Sequence, residues 1–126
     1  MKTKSLGELE KQIMDIVWER NGCSTREVLT NLKKNQKLAY TTVATILHRL
    51  YDKGLLRRKE DRAGFIYSPK LSKERYSKNI ARVFLRKFMY SFGDAAITSF
   101  AESIDKLPEG KRRNLLELIE KYDKNR

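Results

Sequence analysis

The spacing of apolar residues changes twice along this chain, near Gly54 and near Ser72, and these changes limit what it can fold into. Before Gly54 they recur at helical intervals. Between Leu55 and Ser68 they form two short β-type runs, and beyond Ser72 the helical interval returns.

Leu9, Ile13, Ile16 and Val17 stand at i, i+4, i+7 and i+8, one face of a helix over about Leu6–Glu19. Asn21-Gly22 ends it, glycine being the usual residue past a helix terminus. Ser24-Thr25-Arg26-Glu27 reads as a capping box. It opens a second helix to about Lys34, with Val28, Leu29 and Leu32 apolar, and the basic stretch Lys33–Lys37 forms a loop. A third helix begins near Tyr40 and stops before Gly54, with Val43, Ile46, Leu47 and Leu50 as its inward stripe. Leu55–Glu60 and Phe65–Ser68 then flank the turn-forming Asp61-Arg62-Ala63-Gly64, a hairpin ended by Pro69.

Three short helices and a hairpin within about 65 residues are the winged helix-turn-helix arrangement, in which the third helix is free to enter a major groove. The expected fold is therefore mainly α, with a winged-helix DNA-binding domain over residues 1–71. From Ser72 a long helix to Tyr90 carries Tyr76, Ile80, Phe84 and Phe88. Asp94 is placed to cap the next helix, with Ile97, Phe100 and Ile104 apolar. Pro108 suits the first turn of the last, with Leu115, Leu118 and Ile119. About 55 residues make a marginal core alone. Residues 72–126 are accordingly expected to form a helical dimerisation domain, with these ten apolar residues at a homodimer interface.

The third helix has an unusual outward face: Thr41, Thr42, Thr45, His48, Arg49 and Asp52. A solvated helix face ordinarily carries more Lys and Glu. Threonine offers a hydroxyl to base edges and a methyl to the thymine methyl. Arg49, one turn on, can reach a guanine or a phosphate, and Tyr40 can donate to a phosphate at the helix start. Ser24, Thr25 and Arg26 open the helix that crosses the backbone in this motif, and Arg62 sits at the tip of the wing. These four are candidate phosphate contacts, which set register without reading sequence. Two heads about one helical turn apart would require a palindromic site.

Composition agrees. The 126 residues carry 28 Lys and Arg against 16 Asp and Glu, a net charge of +12, and fifteen of the basic residues precede Ser72. A folded basic chain points to a polyanion. Cys23 is the single cysteine and His48 the single histidine, which excludes an internal disulfide and a two-histidine metal site. No nucleophile–base pair, metal cluster or Gly-rich phosphate loop is visible, so neither an enzyme nor a cofactor is expected. No apolar run approaches the ~20 residues of a membrane span. Met1–Ser5 is basic but leads into an amphipathic segment, not a signal core, and the expected location is cytoplasmic.

The runs Leu6-Gly7-Glu8-Leu9-Glu10, Ile13-Met14-Asp15-Ile16-Val17-Trp18, Ser24-Thr25-Arg26-Glu27-Val28, Ala39 to Leu50 and Lys53-Gly54-Leu55-Leu56 together resemble the penicillinase-repressor family of BlaI/MecI/CopY-type regulators. The resemblance covers nearly the whole chain and is strongest over residues 6–70. It implies repression by a homodimer on an inverted-repeat operator in double-stranded DNA. In the β-lactam branch, it implies release by cleavage that a membrane sensor-protease triggers. The bond cut in such members is an Asn-Phe pair, which aligns with Ser99–Phe100 here, Ser replacing Asn. The paired Cys-x-Cys motifs of the copper branch have no counterpart beside Cys23. His48 stands where the family commonly has a smaller polar residue.

Two rival classes remain at this level. A winged-helix regulator controlled by a small ligand would show a large apolar pocket. A non-specific basic nucleic-acid-binding protein would show scattered Lys and Arg with exposed aromatics, whereas the aromatics here follow apolar stripes.

Overall fold

The computed structural model describes residues 6–32, 37–62 and 64–124. The elements run α1 (Glu8–Arg20), β1 (Cys23–Ser24), α2 (Thr25–Asn31), α3 (Tyr40–Asp52), β2 (Leu56–Asp61), β3 (Gly64–Pro69), α4 (Lys73–Ser91), α5 (Gly93–Ile104) and α6 (Glu109–Lys124). Most of the loop expected over Lys33–Lys37, and Ala63 of the hairpin turn, lie outside the described residues.

Local chemistry sets the boundaries. The Gly7 N–H donates to the Glu10 carboxylate at 3.1 Å, fixing the start of α1. Its end turns through Asn21, at φ 55°, and Gly22, at φ 136°. Asparagine tolerates the left-handed region, and glycine alone accepts the second value without strain. The capping box at α2 forms as expected: the Glu27 N–H donates to Ser24 Oγ at 3.1 Å, and the Ser24 N–H donates to Glu27 Oε1 at 3.0 Å.

The three strands form one antiparallel sheet in the order β1-β3-β2. In the wing, Arg58 lies opposite Tyr67 and Glu60 opposite Phe65, and the ladder closes at Asp61 and Gly64. Strand β1 was not expected. Only two residues long, it pairs Cys23 with Tyr67 and Ser24 with Ile66, and two residues are too few to show a periodicity. Cys23 is buried there, and burial foremost raises its thiol pKa, which makes it a packing residue.

The chain divides into two compact units, Met1–Val83 and Phe84–Arg126. The division falls inside α4 and not at Leu71–Ser72, because the first turns of α4 complete the core of the first unit. Tyr76 is buried and lies 5.7 Å, ring to ring, from Trp18; Ile80 packs at the edge of the same cluster. The Trp18 indole N–H donates to the Leu71 carbonyl at 2.9 Å. Tyr76, expected from its spacing at an interface, is therefore a core residue of the first unit, and Ile80 is half-buried beside it. Ser72 caps α4, its hydroxyl accepting from the Arg75 N–H at 3.1 Å.

The second unit is different in kind. No described residue of α5 or α6 is buried, and among the described residues eleven of the thirteen exposed large apolar side chains lie between Phe84 and Tyr122. Phe88 gathers Phe84, Phe92 and Phe100 around it at centroid distances of 5.5–6.1 Å. Asp94 sits inside the first turn of α5 and does not cap it; Phe92 precedes the helix.

Tyr76→Ala should lower the stability of the first unit by about 3 kcal/mol, as large-to-small changes in a packed core do. Urea unfolding followed by the fluorescence of Trp18, the single tryptophan, measures this. An unchanged midpoint would show that Tyr76 packs elsewhere.

Candidate nucleic-acid interface

Helix α3 is divided lengthwise. Val43, Leu47 and Leu50 are wholly buried and Ile46 nearly so, in one cluster with Ile13, Met14 and Val17 of α1 and Val28 of α2. Thr41, Thr42, Thr45, His48 and Arg49 are all exposed. The expected reading face therefore points away from the core as one surface.

The side chains on it differ in what they can offer. The Thr45 hydroxyl donates to the Thr41 carbonyl at 2.8 Å, so its donor is occupied and its methyl and lone pairs face outward. Thr41 does not cap the helix; Ala39 occupies that place without a side-chain bond. Asp52 pairs with His48, at 3.3 Å, and not with Arg49. Among the described residues Arg49 has no ion pair within 4 Å, which leaves its guanidinium available to an anion or a base edge.

His48 is exposed, but both ring nitrogens are engaged. Nδ1 lies 3.0 Å from Arg58 Nη1 and Nε2 lies 3.3 Å from Asp52 Oδ2. Arginine only donates, so Nδ1 accepts and the ring proton sits on Nε2, facing the carboxylate. In this arrangement His48 joins α3 to the wing and presents no free nitrogen to a base.

At the front of the site, Arg26 lies over the Tyr40 ring at 5.3 Å. Ser24, Arg26, Tyr40 and Phe65 line a cleft of about 470 Å³ where α2, α3 and β3 meet. Thr25 departs from expectation: at 7% exposure it forms part of the floor and does not reach outward for a phosphate. Ser24 Oγ accepts the Glu27 N–H and keeps its own proton to donate. Arg62 is exposed at the tip of the hairpin. Ser99 and Phe100 belong to the second unit, inside α5, where the Ser99 carbonyl accepts from Ser103 Oγ at 2.8 Å.

Two residues of this region escaped the sequence reading. Arg58 lies within the β-type run Leu55–Glu60 with no signal of its own, yet strand alternation sets it on the same face as the buried Leu56. Phe65, 39% exposed, shares that face and lies beside it.

An ion pair anchors the back of α3. Lys53 Nζ lies 2.8 Å from Glu10 Oε2, with both side chains largely buried. Burial pushes the Glu10 carboxyl up. The Lys53 and Gly7 hydrogen bonds and the charges of Lys53 and Arg49 outweigh it, holding Glu10 below the ordinary carboxylate value of 4.5.

A helix-turn-helix whose third helix turns a hydroxyl-rich, lightly charged face outward, braced by a two-stranded wing, defines a winged-helix DNA-binding regulator. The penicillinase repressor family model matches residues 6–121. The chain is 26% identical over 125 residues to the penicillinase repressor of Bacillus licheniformis, covering 99% of this chain and 96% of that one. It is 41% identical over 69 residues to the transcriptional regulator BlaI of Mycobacterium tuberculosis, covering 54% of this chain and 50% of that one. Its fold matches the solution structure of the DNA-binding domain of the repressor BlaI with a TM-score of 0.52 and 28% identity, over 60% of this chain and 92% of that one. The chain belongs to the penicillinase repressor family, a family of repressors and not of enzymes. Among the described residues no helix is long and apolar enough to cross a membrane.

Because the folded pKa of Glu10 is lowered, its contribution to stability is complete above the unfolded value and is lost as pH falls through the folded one. The first unit should therefore weaken progressively below pH 4.5, and Glu10→Gln should flatten that acid limb. Thermal unfolding of both proteins across pH 3–7 measures it; parallel curves would remove Glu10 from the account.

Proposed function

We propose that this protein represses transcription by binding an inverted-repeat DNA operator as a homodimer, each copy reading one half-site through α3. The observation that carries the reading is the outward face of α3: three threonines and an exposed arginine with no ion pair among the described residues, backed by a buried stripe. Such a face fits closely against a groove, with Thr42 and Thr45 beside base edges and Arg49 against a guanine or a phosphate. Tyr40, Arg26 and Ser24, where α2 and α3 begin, and Arg62 on the wing take the backbone. Thr41, at the first turn, serves either role.

The second unit supports the homodimer. Its large apolar side chains include Phe84, Phe100, Leu118 and Ile119, from 42% to 60% exposed. That is a surface a second copy would cover, with Phe88, Ile97, Ile104 and Leu115 beneath it. The family membership supports the same arrangement, in a cytoplasmic protein. Release by a membrane sensor-protease would act on α5. A bond such as Ser99–Phe100 lies within a hydrogen-bonded helix, so cleavage there requires the helix to open first.

Binding should be strongly sequence-selective. Random duplex competing equally with an inverted-repeat operator would defeat the repressor reading and favour a non-specific basic protein. Thr42→Ala should weaken operator binding about tenfold and leave the dimer intact, the scale of one lost base contact. Phe84→Asp should yield monomers in sedimentation velocity with weak operator binding; a variant that still sediments as a dimer would refute this interface.

A further inference from the structure

One guanidinium connects the wing to the third helix. The Arg58 carbon Cζ lies 4.1 Å from the centre of the Tyr51 ring, on α3, and 4.3 Å from that of Phe65, on β3. Its Nη1 donates to His48 Nδ1 at 3.0 Å, and His48 in turn faces Asp52. The side chain is thus held by aromatic rings from two elements and by a hydrogen bond in the plane of its donors. Each cation–ring contact stabilises modestly on its own, but together they fix the strand to the helix. Arg57 and Lys59, its neighbours along β2, are exposed and carry their charges on the other face of the strand.

We propose that Arg58 is a positioning residue of the DNA interface: it sets the wing against α3 through Tyr51, Phe65 and His48, and it contacts no phosphate. His48 is the other half of this device, holding Arg58 and not reading a base. The inference rests on the operator-binding reading above, so it is tested both with and without DNA.

The test uses the full chain and an operator duplex over a series of salt concentrations. Arg58→Lys keeps the charge and loses the planar fork, and Arg58→Gln loses the charge. Both should weaken operator binding about three- to tenfold, the scale of a few modest contacts. Both should leave the slope of log affinity against log salt unchanged. His48→Ala should do the same, and the double variant R58Q/H48A should lose no more than the larger single loss, since the two act as one unit. Arg62→Gln, at the exposed tip of the wing and assigned above to the DNA backbone, should instead shallow the slope by about 0.9 per subunit. In the free protein, amide exchange should rise along the β2–β3 ladder in both Arg58 variants and in His48→Ala, while the α1–α3 core stays protected.

Wild-type affinity in Arg58→Lys, or a slope lowered by about 0.9 per subunit in Arg58→Gln, would make Arg58 a phosphate contact and overturn the proposal. Additive losses in the double variant would overturn it as well. Unchanged exchange along the ladder would show that Arg58 does not hold the wing. If the unaltered protein selects no operator, the repressor reading fails, and the exchange data still judge the positioning role.

Discussion

Burial of Val43, Ile46, Leu47 and Leu50 beside Ile13, Met14, Val17 and Val28 holds α3 at a fixed rotation about its own axis. Each such side chain, removed from water, contributes on the order of 1.5–3 kcal/mol. A turn of the helix by one residue would expose part of that stripe and bury a threonine without a partner. The outward face is therefore specified by the inward one. The Lys53–Glu10 pair steadies the end of α3, and the contacts of Arg58 with Tyr51 and Phe65 connect its last turn to the wing. The first turns of α4, through Tyr76 and Trp18, complete the same core.

Much of this was legible in the residues. The α3 stripe shows an unbroken helical period over eight positions, and the strands of the wing are bracketed by Gly54, the Asp61–Gly64 turn and Pro69. The Ser24–Glu27 capping box is a local device that needs no tertiary information, and it formed as read. What stayed hidden depends on pairs distant in sequence. Tyr76 carries the same apolar signal whether it meets Trp18 or a second chain, so spacing could not assign it to the winged-helix core. Thr25 sits in a capping motif whose polarity suggests exposure, but the β1–β3 pairing and the cleft above it leave it buried. His48 occupies a reading position by helical phase, and only the arrival of β2 brings Arg58 to its ring.

The two units solve the problem of small size differently. The first draws on three helices, a sheet and the start of a fourth helix to enclose a core, with fourteen buried apolar side chains among the described residues. The second offers helices with apolar stripes and encloses nothing fully, its ring cluster around Phe88 included. On the reading proposed above, the missing half of that core is another copy. The same contact that completes it would supply the second reading head, which makes assembly and specificity parts of one equilibrium. One reading head alone offers α3 with three threonines and one arginine, too few base contacts for a repressor to find its site among many competitors.

Stoichiometry and affinity on a site selected by the protein itself from random-sequence duplex test that linkage most directly. Sedimentation velocity and fluorescence anisotropy would compare the selected site with a duplex carrying one half of it. The selected site should be an inverted repeat that takes two chains in a single step and binds at least a hundredfold tighter than the half-site. One chain per duplex, or equal affinity for whole and half sites, would contradict the account.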